Sequence, residues 1–558
     1  MNQTFIRATS AAACAVLLAA CSAGNPLDVQ NLNNPDVARS YGSPAPLDGV
    51  IGSAYQQFNN VWNNTSGADV DAKMFSTEGF STVANFCMNN YAAVPRNPII
   101  NQVGGQCDSQ QLNDFQGFQE LARNTANMII ALDKIVKAGL TTGSTATDAR
   151  DRGFAFFVNA VSLGELAVMY DSAAITIPST VPLSTTVPPL AGYAAVMTTA
   201  LAQLDTAIAI FSAGVASAPT PAMLPTATPI TTAGMVQFLH SWKARLRAGV
   251  AHTPAERAAV DWPSVIADAI AGITADVQIT VGGGWSCGYN CSQMYSSLGW
   301  HEMTAMTIGM ADTSGAYAAF NALPILQRNG TSLLIQTPDL RMPQGATRLA
   351  QENDTPITVP FTPGRYIANR PASGDFSGPG FGTSEYDYKR NLAVFKAKAV
   401  GNVVQFALAE NTMLEAEGYI YAGQFANARA LIDTSRVHHG LPSIGAAATL
   451  VVPIAGAAYP LNGPGVPACV PQVPTPGTFN TMSCGNILEA MKWEKRMETA
   501  YTAYATWYQD ARGWGDLVAG TALMWPVPNE EMNSRSKPYY SIGGLGQPNS
   551  AVLGTYGW

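Results

Sequence analysis

Charge is scarce in this sequence. Only 12% of residues are Asp, Glu, Lys or Arg, and the net charge is −8. A nucleic-acid partner needs clustered Lys and Arg to displace counterions from phosphates. No such cluster is present, so nucleic acid is excluded. Long apolar runs are also missing. Beyond the leader, no stretch is expected to be a transmembrane helix. Catalytic signatures are absent too. There is no G-x-S-x-G elbow and no P-loop lysine motif. His301-Glu302 begins like a zinc-protease helix, but position 305 is alanine where the second histidine belongs. Asp375-Phe376-Ser377-Gly378 has no other kinase signature around it. Asp69-x-Asp71 offers oxygens without the further ligands of a calcium loop. A glycosidase needs only two carboxylates, and no motif here singles out such a pair. The chain is therefore expected to be no enzyme and to hold neither metal nor cofactor.

What the sequence does have is apolar and loop-forming. Hydrophobic residues make up 47%, with 50 Gly and 36 Pro. At 558 residues the chain exceeds the usual size of one core. A filled interior with many ordered loops follows. The first 20 residues read as a signal peptide: Arg7 is basic, and Ala11 to Ala20 is a short apolar stretch. It ends Leu18-Ala19-Ala20-Cys21, which resembles a bacterial lipobox. Cys21 would then be lipidated and hold the protein on a membrane. Ordinary secretory cleavage is the alternative. Ser22 after the cysteine favours the outer membrane over the inner.

Setting aside Cys14 and Cys21 leaves six of the 8 cysteines, in three local pairs: Cys87 with Cys107, Cys287 with Cys291, Cys469 with Cys484. An even count in an exported chain reads as disulfides. Neighbour pairing is the simplest of the possible connectivities. Cys287-x3-Cys291 lacks the second Cys or His pair that a zinc site needs.

Apolar spacing predicts helices over 114–138, 148–170, 191–212, 232–250 and 486–511, and a short one from Pro46 to Phe58. Thr253-Pro254-Ala255-Glu256 is a capping box, and Pro263 opens a helix that stops at Gly272. Gly153 and Gly164 permit close packing. Residues 403–437 read as a helical hairpin. In it Ala416, Tyr419, Gly423, Phe425 and Ala428 have tetratricopeptide-repeat spacing. One such repeat cannot bury its own apolar face and needs neighbours. Residues 276–400 lose helical periodicity, with Thr355 to Phe361 and Tyr386 to Phe395 as candidate strands. Residues 441–485 form a long Pro/Gly/Ala loop.

Five stretches in order resemble the SusD/RagB family of nutrient-binding outer-membrane lipoproteins. They are the lipobox with LDVQNLNNPDVARSYGSPAPLDGVIGSAY, RGFAFFVNAVSLGELAVMYDSA (152–173), TPDLRMP (337–343), LAENTMLEAEGYIYAGQFANARALIDTSRVHHGLP (408–442), and EKRMETAYTAYATWYQDARGWGDL with WPVPNEEM (494–532). Residues 60–110, 276–330 and 441–485 have no close match. The resemblance implies a mainly α fold: tetratricopeptide-like helix pairs in a SusD-like superhelix, with an irregular loop-rich lobe and a few short strands. The expected division is 1–20 signal peptide, 21–48 anchor and tether, 49–275 N-terminal helical region, 276–400 variable lobe, and 401–558 C-terminal region with the hairpin. It implies capture of oligosaccharide or other polymer fragments at the cell surface, delivered to a SusC-like TonB-dependent β-barrel transporter. The alternatives are peptide capture, or a tetratricopeptide adaptor that binds protein.

Glycan recognition needs flat rings for sugar faces and amides for hydroxyls. The 282–301 loop supplies Trp285, Tyr289, Asn290, Tyr295 and Trp300, and Trp62 stands in a second aromatic stretch. These are the candidate ligand-binding residues. For any single ring, burial in the core is the competing reading. Trp493, Trp507 and Trp514 lie in the C-terminal helical signature and read as core.

Overall fold

The computed structural model describes residues 41–81, 87–105, 107–180, 188–291, 293–295, 302–328, 331–354, 366–370, 384–454, 469–475, 481–554 and 556. The signal peptide, Cys21, Trp300, His301, the 355–361 strand and the 375–378 motif lie outside the described residues.

Eleven helices of eight or more residues carry the described structure: α1 Pro44–Trp62, α2 Ala68–Phe75, α3 Asp108–Lys137, α4 Thr145–Met169, α5 Tyr193–Ser212, α6 Thr232–Gly249, α7 Trp262–Ile270, α8 Leu408–Tyr421, α9 Phe425–His438, α10 Ile487–Thr499 and α11 Thr506–Trp514. Several start where a side-chain oxygen takes a free backbone N–H. Ser144 accepts from Thr147, Thr231 from Gly234, Asp261 from Ser264 and Asn486 from Glu489. Thr253 likewise accepts from the Glu256 N–H at 3.2 Å, and the Glu256 carboxylate reaches back to the His252 N–H at 2.7 Å.

Helix α4 is the central element and packs on α1, α3, α5 and α6. Its glycines allow this. A Cβ on Gly164 would stand 2.6 Å from Leu246, and one on Gly153 2.8 Å from Phe211. The α8–α9 hairpin packs α8 against α7 and α10. Met413, Ala416, Ile420, Ala428 and Ile432 form their own core there with Met491 and Trp514. Gly423 takes φ +71°, the left-handed turn that the repeat spacing predicts. Trp493, Trp507 and Trp514 are buried. Among the described residues the strands pair as two-stranded antiparallel ladders: 172–174 with 190–192, 277–281 with 401–406, 367–369 with 386–388, and 472–474 with 482–484. The cysteines pair as neighbours, Cys87–Cys107, Cys287–Cys291 and Cys469–Cys484.

Three expectations need correction. Residues 401–406 are a strand, not the start of the hairpin, because Val403 and Val404 pair with Ile279 and Gln278. Of 386–395, only Tyr386–Tyr388 is strand, and Leu392–Lys396 is a helical turn. The expected 486–511 helix breaks into α10 and α11. Tyr501 and Ala505 adopt φ +52° and +47°. The N–H groups freed there donate to buried carboxylates, Tyr501 to Glu78 at 2.6 Å and Ala505 to Asp69 at 2.7 Å.

Candidate functional site

The 282–295 loop leaves one end of the 277–281/401–406 ladder, where Val281 pairs with Gly401. Gly282, Gly283 and Gly284 have φ of 108°, 58° and 98°, left-handed values that suit glycine. They bend the chain so that Gly282 and Trp285 exchange backbone hydrogen bonds of 2.9 and 3.1 Å. Helix α1 then clamps the loop with two adjacent amides. Asn60 donates to the Gly284 carbonyl and accepts from the Ser286 N–H, both at 3.0 Å. Asn59 donates to the Ser286 carbonyl at 2.8 Å. The Cys287–Cys291 disulfide closes the next turn.

This frame sorts the candidates. Trp285 is half-buried, with its ring 6.2 Å from Tyr55. Tyr295 is also half-buried. Its ring lies 5.6 Å from Phe395, and its hydroxyl accepts from the Asn391 N–H at 3.2 Å. Tyr289 and Asn290 are core residues at 1% and 7% exposure. Tyr289 faces Tyr501 at 6.3 Å, and the Asn290 carbonyl accepts from Asn391 at 3.2 Å. Trp62 is 2% exposed, and its indole donates to Glu165 at 3.1 Å. Burial pushes Glu165 up to about 8, against the pull of the Arg245 guanidinium. Trp62 and Tyr289 therefore offer no ring face to a ligand. Among the described residues Trp285 is the one tryptophan with a partly open face.

A small cavity lies behind the loop, lined by Trp62, Asn63, Cys287, Asn290, Asn391 and Gln405 with residues of 401–406 and 501–502. It belongs to the packing of the loop. The clamping pair Asn59-Asn60 escaped sequence reading. Asn59 is buried on α1 and Asn60 is exposed beside it, and nothing in the apolar spacing of the helix marks the pair.

Two of the acids considered for metal or catalysis have cationic partners. Asp69 pairs with Lys73 at 3.3 Å, and Glu302 with Arg370 at 3.2 Å. His439, just past α9, pairs with Glu498 at 2.9 Å. No group of three or more His, Cys, Asp and Glu residues suited to a metal occurs among the described residues.

No protein-family model matches the chain, and no curated protein does. Solved structures do. A SusD-like protein from Bacteroides fragilis is 13% identical, with 94% of this chain and 100% of that chain covered at a TM-score of 0.50. A SusD superfamily protein from Bacteroides thetaiotaomicron is 12% identical, with 90% and 97% covered at a TM-score of 0.50. The chain thus has the fold of SusD-like proteins.

Proposed function

We propose that this protein is a surface lipoprotein that captures polymer fragments, saccharides first, and passes them to a TonB-dependent β-barrel in the outer membrane. The observation that carries this reading is a SusD-like fold along nearly the whole chain, behind a leader that ends in a lipobox at Cys21. Trp285 is the ring on which a sugar face stacks, on a loop held by Asn59, Asn60 and a disulfide. Such pre-ordering lowers the entropic cost of binding. Fold alone does not dictate function, so the reading stands on the site and the leader together.

A peptide-binding tetratricopeptide adaptor is the rival from sequence. It fits less well, because α8, the first helix of the repeat, is packed on both α7 and α10. The test is a mild-detergent pull-down of the native protein with mass spectrometry of its partners. A stoichiometric TonB-dependent barrel is the expected result. A soluble partner in its place refutes the transporter role. Cys21→Ala is expected to release the protein from membranes, and a variant that stays with the outer membrane at high salt refutes the anchor.

A further inference from the structure

The corner that carries Trp285 joins an uncharged segment to a basic one. From residue 277 to 300 there is no Asp, Glu, Lys or Arg. From 388 to 409 there are four cations, Lys389, Arg390, Lys396 and Lys398, and no acid. The overall net charge is −8, so this local excess of positive charge runs against the average.

The fold brings the two segments together. They are the connections at the same end of one ladder, since Val281 pairs with Gly401. A Cβ on Gly282 would lie 3.2 Å from Val400. Further along, Tyr295 packs on Phe395 at 5.6 Å.

Two of the four cations are spent internally. Lys389 pairs with Asp387 at 3.1 Å. Arg390 donates to the Glu498 and Met497 carbonyls at 2.7 and 3.1 Å. Lys396 and Lys398 are exposed, and neither has a carboxylate partner among the described residues. Lys398 and Ala399 stand at φ +59° and +60°. That conformation is costly for residues with a Cβ. Backbone bonds hold it, Lys398 N–H to Phe395 and Ala399 N–H to Val394, both at 2.9 Å. The corner thus places Lys398 two residues from the Val400 contact with the Trp285 turn.

We propose that the captured polymer is anionic, a saccharide fragment with carboxylate or sulfate groups, whose charge meets Lys396 and Lys398 while a ring face stacks on Trp285. This rests on the capture reading above and adds the substrate class to it. Exposed cations of this kind act through a field that salt screens. Binding is therefore salt-dependent, and stacking on Trp285 is not.

The test is calorimetric titration of the full-length protein in detergent with three oligosaccharides of equal length: an oligogalacturonate, a sulfated galactan fragment and a neutral β-glucan fragment. An anionic probe is expected to bind roughly tenfold tighter than the neutral one at low salt, the scale that two exposed ion pairs supply. K396Q/K398Q, with an unchanged melting temperature, is expected to remove that advantage and its salt dependence. Galacturonate alone identifies carboxylate, the galactan alone identifies sulfate, and both together identify charge itself. Neutral glucan bound as tightly as the anions, or anion binding unchanged in the double variant, overturns this inference and leaves saccharide capture standing. No binding of any probe, or preference for an acidic peptide, overturns saccharide capture and this inference with it.

Discussion

The backbone N–H of Tyr501 donates to the Glu78 carboxylate at 2.6 Å, across more than four hundred residues of chain. Asp69 takes the Ala505 N–H in the same way, and Lys73 sits between the two acids at 3.3 and 3.4 Å. The ammonium also donates to the Ala503 carbonyl at 3.3 Å. This triad holds the break between α10 and α11. Lys73 is fully buried, so Lys73→Met leaves two acids without their cation. The expected loss is about 3–5 kcal/mol, the usual cost of breaking a buried pair from one side. Urea unfolding measures it. A loss below about 1 kcal/mol, typical of an exposed ion pair, means that the triad does not hold the break.

Trp285 and Trp62 set the proposed site against the core. Trp62 stands among Phe58, Trp242 and Tyr504 with ring distances of 6.0 to 6.4 Å. Trp62→Ala is expected to cost about 3–5 kcal/mol, as large-to-small core changes do. Trp285→Ala is expected to cost clearly less in thermal melts and to abolish saccharide binding. Equal destabilisation by both assigns Trp285 to the core.

Glu165 gives a pH test. Burial raises its pKa to about 8, above the ordinary value of 4.5. The folded state then holds a proton that the unfolded chain releases. Its contribution is fully present below about pH 4.5 and is lost as pH rises through about 8. Wild type compared with Glu165→Gln isolates the group. The difference in unfolding free energy is expected to grow in favour of the variant from pH 5 to 8, at roughly 1.4 kcal/mol per unit at most. A flat difference means that Glu165 is ionised in the fold. Asp114, raised by burial to about 7, predicts the same sign over a narrower range.

The packing of α4 gives a steric test. Gly164→Val would drive its side chain into Leu246, which already lies 2.6 Å from an added Cβ. Overpacking of this kind costs about 1–3 kcal/mol, read as a lowered urea midpoint. Gly164→Val with Leu246→Ala is expected to recover part of it, and no recovery means that the strain lies elsewhere.

The Cys87–Cys107 bridge closes 20 residues. Its removal by paired Ser substitutions is expected to cost about 3 kcal/mol in the chain-entropy view. Unfolding of the oxidised and substituted proteins decides it. The Cys287–Cys291 bridge closes only 4 residues, so its loss is expected to show more in saccharide affinity than in stability.

Local order was legible in the residues: helices α3 to α6, the Gly423 turn and the capping box at Thr253, while the cysteine pairing stayed open until the fold brought the neighbours together. Helices, turn and cap follow from apolar period and cap chemistry, which act within a few residues. Tertiary structure alone decided the rest. It ended α10 early, because acids near residue 70 offer the 501 and 505 amides a buried partner. It drew Val403 and Val404 into a strand, because a matching edge at 277–281 was available. It also sorted the aromatic rings. Trp62 and Trp285 look alike in sequence, and only packing tells them apart: Trp62 is buried against Glu165 and Trp242, and Trp285 is half-buried.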